Sequence, residues 1–221
     1  MVIDKVRNWE KIWPLLKKQV KGLRVPWLED RASTERDPYK ILISCILSLR
    51  TQDRTTGEAS ERLFRLASRP DEMAKLSVNE IQKAIYPVGF YRVKAKRIKE
   101  LSKAIVERYD SIVPDSLEEL LRLKGVGRKT ANLVITLGYN KPGICVDTHV
   151  HRITNRIGLV RTKNPEETEI KLRKILPERY WIELNGLLVA FGQGICKPIS
   201  PLCSICLINR YCKKIGVKRH R

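Results

Sequence analysis

Apolar residues recur three and four positions apart along most of the chain, which is the spacing of one face of an α-helix. The segment Ile41–Leu49 is apolar except for two serines, which predicts a helix that is buried on all sides. Amphipathic helices are predicted over Glu58–Ala67, Val78–Ile85 and Val93–Tyr109. No segment shows a clear alternation of period two, so the pattern predicts an all-α protein.

A helix, a tight turn and a second helix are predicted between residues 116 and 137. Ser116 and Glu119 have the spacing of a capping box ahead of a leucine-rich segment. The two glycines of Gly125-Val126-Gly127 predict the end of that helix, because both are free to adopt positive φ. A second apolar helical segment, Ala131–Leu137, follows at once. The sequence therefore predicts a Gly-x-Gly hairpin between two helices.

The charge of the chain narrows its possible partners. Its 221 residues include 44 Lys and Arg against 24 Asp and Glu, a formal net charge of +20. Such a surplus favours a polyanion, because each neutralised phosphate releases condensed counterions. A lysine-rich surface of a heat-adapted protein is the alternative, but such surfaces usually balance lysine with glutamate. The charge therefore favours a nucleic acid.

No segment reaches the roughly 18 to 20 unbroken apolar residues that span a bilayer. Asp4 and Lys5 stand where a signal peptide would carry its apolar segment. We therefore expect a cytoplasmic protein with no membrane partner and no secretion signal. The basic segment Lys213–Arg221 is expected to fray.

Four cysteines with the spacing Cys-x6-Cys-x2-Cys-x5-Cys predict a metal site. They are Cys196, Cys203, Cys206 and Cys212. Zinc sites usually pair two short Cys-x2–4-Cys hooks, whereas only one short hook is present here. A [4Fe-4S] cubane, bound at four corners, fits this spacing better, and zinc is the competitor. Cys45 and Cys145 lie among apolar residues and are expected to be small core side chains.

The hairpin also carries candidate chemistry. Backbone N–H groups around Val126, at the start of a helix, form a cradle for a phosphate oxygen. The segment is not a P-loop, since Arg128 rather than glycine precedes Lys129. Alone, Lys129 is most simply a solvated charge or a phosphate contact. However, the positive helix end and Arg128 both disfavour an ammonium there, and a neutral amine is able to attack C1′ of a sugar.

A carboxylate with two compatible roles follows the next turn. Asp147, in Val146-Asp147-Thr148-His149, precedes a helical segment, where its ordinary role is that of an N-cap. Near the hairpin, the same carboxylate would be able to remove a proton and stabilise positive charge on the sugar. His149 and His151 are expected on the helix surface, since no third ligand accompanies them.

Three motifs in this order resemble the endonuclease III family of helix-hairpin-helix DNA glycosylases. They are the segment Leu123–Ala131, the segment Val146–His149 and the four-cysteine spacing. The resemblance covers residues 37–212 and implies two helical domains that flank a DNA-binding cleft. Residues 37–143 would form a six-helix domain with the hairpin, and residues 1–36 and 144–221 the [4Fe-4S] cluster domain.

The resemblance also implies the activity. A monomer would bind damaged double-stranded DNA, flip out an oxidised pyrimidine, excise it and cut the strand 3′ to the abasic site by β-elimination. Lys129 would be the Schiff-base nucleophile and Asp147 its assistant. The residues expected to contact DNA are Gly125, Val126, Gly127, Arg128, Thr130, Arg50, Gln52, Phe90 and Lys197.

Two positions depart from the family's pattern. Phe90, in Gly89-Phe90-Tyr91, stands where the family often has a leucine wedge, and a core aromatic under a turn is the alternative. Arg50 stands where a gap-filling glutamine is expected, which leaves the preferred lesion and the opposite base open. Lys197 lies inside the cysteine loop as a candidate phosphate contact.

Two other functions remain open from the sequence. One is a glycosylase of narrower scope that acts on mismatched or deaminated bases. The other is a non-catalytic iron–sulfur module that binds DNA. Reduction with borohydride separates them from the lysine enzyme, because only a Schiff base is trapped as a covalent adduct.

Overall fold

The all-α prediction is confirmed. The structure, a computed structural model, describes residues 2–23 and 27–221, and within them it contains helices and no β-strand. Met1 and residues 24–26, which fall inside the predicted segment 1–36, lie outside the described residues. The α-helices are α1 Val2–Val20, α2 Trp27–Thr34, α3 Pro38–Ser48, α4 Asp53–Leu66, α5 Pro70–Lys75, α6 Val78–Ile85, α7 Tyr91–Tyr109, α8 Leu117–Arg122, α9 Arg128–Leu133, α10 Thr148–Ile157, α11 Pro165–Ile175 and α12 Trp181–Gly194.

The described residues pack as two compact units. The hairpin unit is Trp27–Lys141, and the cysteine unit is residues 2–23 together with Pro142–Arg221. These limits differ from the predicted domain boundaries at residues 37 and 143. Helix α2 belongs to the hairpin unit because it packs on α3 and α4. Its Trp27 covers Gly57 so closely that a Cβ there would lie 2.7 Å from the indole Nε1.

Helix α3 is the core of the hairpin unit. Every residue from Tyr39 to Leu47 except Lys40 is buried, as predicted for Ile41–Leu47, whereas Leu49 lies beyond the end of α3 and is 37 % exposed. Asp37 caps its start, because Oδ1 accepts hydrogen bonds from the N–H groups of Tyr39 and Lys40 at 2.9 and 3.1 Å. Helices α4, α7 and α9 pack around α3. The loop of residues 49–52, which follows α3, is thus held by a rigid element.

Helix ends follow the local signals closely. Helix α6 spans the predicted Val78–Ile85, and Ser77 forms a reciprocal capping box with Glu80 at 3.1 and 2.7 Å. Helix α7 begins at Tyr91, two residues before the predicted start. Pro70 lies in a predicted break, and the structure uses it as the first residue of α5, where proline has no N–H to lose.

Aromatic side chains fill the centre of the cysteine unit. Trp9 and Trp13 of α1 pack against each other and against Tyr180, and the Trp13 ring centre lies 5.7 Å from that of Trp9 and 4.9 Å from that of Tyr180. Leu16 and Phe191 are buried beside them, so α1 packs on α12. Together these side chains join the residues at the two ends of the described chain into one core. No described helix has the length and hydrophobicity to cross a membrane.

The expectation that Lys213–Arg221 frays is wrong. The N–H groups of Lys213 and Ile215 donate to the carbonyls of Ile157 and Arg156 at 3.2 and 3.0 Å. The Arg221 N–H donates to Pro201 at 2.9 Å. The last carbonyls of helix α10 lack partners within the helix, and the basic segment supplies their donors.

Candidate functional site

The hairpin between α8 and α9 is built on one glycine with a left-handed backbone. Gly125 has a φ of +88°, and a Cβ there would lie 2.7 Å from Nε of Arg97. Gly127, the second glycine that is free to adopt positive φ, does not adopt it. That residue has a φ of −95° and a ψ of 170°, because it is the N-cap of α9, a position that requires an extended backbone.

Gly127 leaves the mouth of the hairpin open. A Cβ added to it would meet no atom within 4 Å, and its N–H donates to no other described residue. The N–H of Val126, in contrast, donates to Leu123 at 3.0 Å, and the Val126 side chain is buried. Of these two backbone donors, the N–H of Gly127 is therefore available to a phosphate, whereas the N–H of Val126 is not.

Only half of the predicted capping box is present at α8. Ser116 Oγ accepts a hydrogen bond from the N–H of Glu119 at 3.3 Å. The Glu119 carboxylate instead accepts from the Tyr109 hydroxyl at 2.9 Å and pairs with Arg122 at 2.7 Å. The reciprocal bond is lost because these two partners draw the carboxylate away from the start of the helix.

Lys129 is an exposed residue on a firmly anchored helix. It is the second residue of α9, and the next four residues, Thr130 to Leu133, are all buried. Burial raises the pKa of the Cys45 thiol on α3 to about 12, and the nearby charge of Lys129 opposes that rise. Cys45 and Cys145 are both buried, as predicted. The backbone of Lys129 is therefore fixed against α3, while its side chain is exposed.

Helix α9 continues as a π-helical segment, Val134–Gly138, where a regular α-helix was expected. The Thr136 hydroxyl donates to the carbonyl of Asn132 at 2.8 Å, the acceptor that a regular helix offers to the N–H of residue 136. Gly138 is pressed against Pro38, since a Cβ there would lie 2.9 Å from its Cα. The segment widens where it packs on the start of α3.

Asp147, in the cysteine unit, is the N-cap of helix α10. Its Oδ1 accepts hydrogen bonds from the N–H groups of His149 and Val150, both at 2.9 Å. The carboxylate is half-buried. The Nδ1 atom of His151 lies 2.7 Å from the Thr168 hydroxyl. The structural role expected for Asp147 is thus present, and both capping bonds use the same oxygen.

The four cysteines line one pocket in the cysteine unit. Its apolar walls include Ile157, Phe191 and Ile208. Burial is the main cause that raises the pKa of the Cys206 thiol to about 11, and the neighbouring cysteines contribute to that rise. Among the described residues, no three His, Cys, Asp or Glu side chains converge as ligands of a single metal ion. The pocket gathers four thiols that need positive charge to ionise.

Arg156 supports this pocket from helix α10. Its side chain is 7 % exposed, and Nη1 donates to the Cys196 sulfur at 3.2 Å and to the Lys197 carbonyl at 2.9 Å. Nη2 donates to the Pro198 carbonyl at 3.1 Å. Lys197 itself is half-buried. The guanidinium therefore fixes the start of the cysteine loop and places a positive charge beside a sulfur.

Two loops of the hairpin unit meet through Arg50 and Phe90. The α3–α4 loop is residues 49–52, and the α6–α7 loop is residues 86–90. Phe90 is 60 % exposed, which excludes the core alternative. The Arg50 guanidinium lies 5.6 Å from the centre of the Phe90 ring. Gln52 is exposed at the start of α4. The two loops therefore present an aromatic ring, a cation and an amide at the surface.

Comparison with known proteins identifies the family. Residues 43–178 match the HhH-GPD superfamily of base excision DNA repair proteins. Endonuclease III of Thermotoga maritima is 51% identical over 83% of this chain and 86% of that protein. The chain belongs to the endonuclease III family. The Bacillus subtilis endonuclease III is 37% identical and covers 84% of each chain. A chloroplastic homologue from Arabidopsis thaliana is 41% identical, and the chain spans 57% of its length.

Solved structures of endonuclease III share the fold. A trapped covalent intermediate of endonuclease III with DNA aligns with a TM-score of 0.78 at 31% identity, over 93% of this chain and 95% of that one. A thermostable thymine-DNA glycosylase aligns at 0.83 and 25% identity, over 94% and 96%. The protein is accordingly a base excision repair enzyme, a DNA glycosylase with abasic-site lyase activity.

Two buried cations were missed by sequence reasoning. Arg156 supports the cysteine pocket, and Lys94 of α7 is only 5 % exposed. In a chain with 44 lysines and arginines, no local pattern distinguishes the few that are buried. A polar position on the apolar face of helix α7 was the only available signal for Lys94.

Replacement of Arg156 tests its support of the cysteine loop. We expect Arg156→Met to lower the free energy of unfolding by about 2–4 kcal/mol, because the buried Cys196 sulfur and the partly buried carbonyls of Lys197 and Pro198 lose their donor. Arg161→Met, on the surface, is the control and should change it by less than about 0.5 kcal/mol. Denaturant titration followed by circular dichroism measures both. Equal stability of the two variants would show that the buried guanidinium supports nothing.

Proposed function

We propose that this enzyme removes an oxidised pyrimidine from duplex DNA and cuts the strand 3′ to the lesion, with Lys129 as the nucleophile. The observation that carries the proposal is the exposed lysine at the second residue of α9, two residues after the open backbone of Gly127. A group that must reach a sugar needs exposure, and a group that must be placed accurately needs a fixed backbone. Lys129 has both.

The hairpin would hold the DNA strand by its phosphates. The uncovered N–H of Gly127 lies at the start of a helix, where the peptide dipoles favour an anion. Gly125 and Val126 shape the turn, and Arg128 adds positive charge beside it. Thr130 is buried, so any contact that it makes with DNA would use its backbone. Such contacts position the strand without reading its sequence.

The reaction then follows from a neutral amine at C1′. The lone pair of Lys129 Nζ forms a bond to C1′ of the flipped nucleotide, and the damaged base leaves with the electron pair of the glycosidic bond. The C1′–O4′ bond then breaks, O4′ keeps its electron pair and takes up a proton, and the opened sugar is left as a protonated Schiff base. Loss of a proton from C2′ expels the 3′ phosphate, and hydrolysis of the Schiff base releases the enzyme. The completed cycle returns Lys129 to a free amine.

Asp147 would serve as both a helix cap and a proton acceptor. Its Oδ1 is occupied by two backbone N–H groups, and its second oxygen carries neither of these bonds. A carboxylate held in this way is able to accept the proton that Lys129 loses and to stabilise positive charge on the sugar.

The four cysteines would hold a [4Fe-4S] cluster. Arg156 and the N–H of Lys214, which approaches the Cys212 sulfur at 3.4 Å, already donate hydrogen bonds to sulfur atoms, as cluster thiolates require. The walls of the pocket that the four cysteines line are largely apolar, which keeps water away from the sulfur atoms. The cluster would anchor the cysteine loop, in which Lys197 is the candidate phosphate contact, and would take no part in bond chemistry.

A glycosylase of narrower scope is the second candidate. It is favoured by Arg50 at the position of the expected glutamine and by the likeness to a thymine-DNA glycosylase. Rates of excision from duplexes with oxidised, deaminated and mismatched bases separate the two. Action as a monomer in the cytoplasm stays a prediction.

Replacement of the nucleophile tests the covalent mechanism. We expect Lys129→Gln to abolish both strand cleavage and borohydride trapping, because an amide forms no Schiff base. Affinity for lesion-containing duplex should survive. Lys124→Gln, in the same hairpin, is the control and should still be trapped. Trapping of the Lys129→Gln protein would remove this lysine from the mechanism, and an untrappable parent protein would contradict the covalent mechanism itself.

Replacement of Asp147 separates its two roles. Asparagine is also a good N-cap, so we expect Asp147→Asn to change the free energy of unfolding by less than about 0.5 kcal/mol. Loss of the charge should slow base excision about 100-fold or more under single-turnover conditions. Asp147→Ala should lose both stability and activity. Full activity in the asparagine variant would reduce this residue to a helix cap.

Metal analysis tests the cluster. We expect the purified protein to be yellow-brown, with broad absorption near ~400 nm from thiolate-to-iron charge transfer, and about four irons per chain. Cys203→Ala should lose the colour, whereas Cys45→Ala should keep it. A colourless protein that contains one zinc per chain would contradict the assignment.

A further inference from the structure

The α3–α4 and α6–α7 loops are held together by a buried ammonium. Nζ of Lys94 donates to the carbonyls of Leu47 and Leu49 at 2.8 and 2.5 Å and to the Thr51 hydroxyl at 3.1 Å. These three acceptors match the three donors of an ammonium. Lys94 lies in the first turn of α7, directly after the α6–α7 loop.

Thr51 extends the connection from one loop to the other. Its hydroxyl oxygen also accepts a hydrogen bond from the N–H of Gly89 at 3.2 Å. A Cβ on Gly89 would lie 2.7 Å from the carbonyl oxygen of Arg50, so the two backbones are in direct contact. The chain Lys94–Thr51–Gly89 thus joins the loops at the point of their closest approach.

Both loops carry a residue in a costly conformation. Arg50 and Phe90 have φ values of 54° and 59°, in the left-handed region that residues with a Cβ rarely adopt. Such conformations persist only where the surrounding structure enforces them. Their side chains are the exposed pair in which the guanidinium lies over the aromatic ring. Order in this exposed pair therefore requires a firm connection beneath it.

Burial of the charged Lys94 side chain costs free energy. Desolvation lowers the pKa of Lys94 to about 8, which still leaves the ammonium predominant near neutral pH. An apolar side chain in the same place would escape this penalty. The acceptors that the ammonium binds all belong to the end of α3 or to the α3–α4 loop. A buried charge is thus present where the two loops meet, despite its desolvation cost.

We propose that Lys94 and Thr51 are positioning residues that join the two loops into one rigid unit, so that Arg50 and Phe90 enter the duplex together during lesion extrusion. This inference rests on the proposed function, in which these loops meet DNA. A flexible pair would lose free energy to ordering at the moment of base flipping, whereas a pre-ordered pair does not. The connection should therefore matter for extrusion and not for the chemistry at Lys129.

The test compares two substrates with matched variants. Thr51→Val removes the shared oxygen, and Thr51→Ser keeps it. We expect Thr51→Val to slow single-turnover base excision from duplex about tenfold or more, the loss typical of a hydrogen bond to a charged group, with Thr51→Ser within about twofold of the parent. Cleavage of an abasic site in single-stranded DNA, which needs no extrusion, should be unchanged in both variants.

Gly89→Ala provides an independent separation of the loops. The φ of Gly89 is not positive, so alanine is able to adopt its backbone, but the new Cβ would force the Arg50 carbonyl away. We expect the same loss on duplex and the same retained cleavage of the single strand. Lys94→Met, which removes all three donors, should slow excision from duplex at least as much and should also leave cleavage of the single strand unchanged. Fluorescence of 2-aminopurine beside the lesion should report weaker unstacking in each variant.

The outcomes distinguish this inference from the proposed function. If Thr51→Val and Gly89→Ala excise the base from duplex at the same rate as the parent protein and Thr51→Ser, the positioning role is overturned. An equal loss on both substrates in variants whose thermal unfolding matches that of the parent would also overturn it, because the effect would then lie in the chemistry. A parent protein inactive on both substrates would instead contradict the proposed function itself.

Discussion

The placement of the exposed lysine depends on the turn at Gly125. The left-handed backbone at that residue, with Arg97 packed where a side chain would stand, lets α8 end and α9 begin within a few residues. From Thr130 onward, α9 is buried against α3. Lys129 is consequently exposed immediately before the helix enters the core. A side chain at Gly125 would disturb the turn and, with it, the placement of Lys129.

Buried cations explain how a protein with a charge of +20 keeps its loops in place. Lys94 binds carbonyls at the end of α3, and Arg156 binds carbonyls of the cysteine loop. Arg152 in the same way donates to the carbonyl of Cys196 at 2.9 Å. Each of these side chains donates to carbonyl oxygens at a helix end or in a loop, where no backbone N–H of the described residues pairs with them. Leaving such oxygens without a hydrogen bond in the interior costs free energy. Part of the basic surplus therefore holds the fold, and the rest is available for phosphate.

Features that depend on a few neighbouring residues could be predicted from the sequence. The limits of α6, the buried α3 and the N-cap at Asp147 follow from spacing and capping alone. The motifs also identified Lys129 and the four cysteines as candidates, although their chemical roles stand as proposals.

Features that depend on tertiary partners could not be predicted. The extended backbone of Gly127, the π-helical segment Val134–Gly138 and the anchoring of Lys213–Arg221 each follow from a contact made elsewhere in the chain. The burial of Lys94 is of the same kind, because its acceptors lie more than 40 positions away. Helical periodicity reports that a face is buried, but it does not report which polar group that face will satisfy.

The central claim is that one amine bonds covalently to deoxyribose, and peptide mapping of the reduced complex tests it most directly. The unaltered enzyme is incubated with a lesion-containing duplex and borohydride, and the adduct is digested and sequenced by mass spectrometry. We expect a single deoxyribose adduct, on Lys129. An adduct on another lysine or on the α-amino group, or the absence of any adduct while the base is still released, would contradict it.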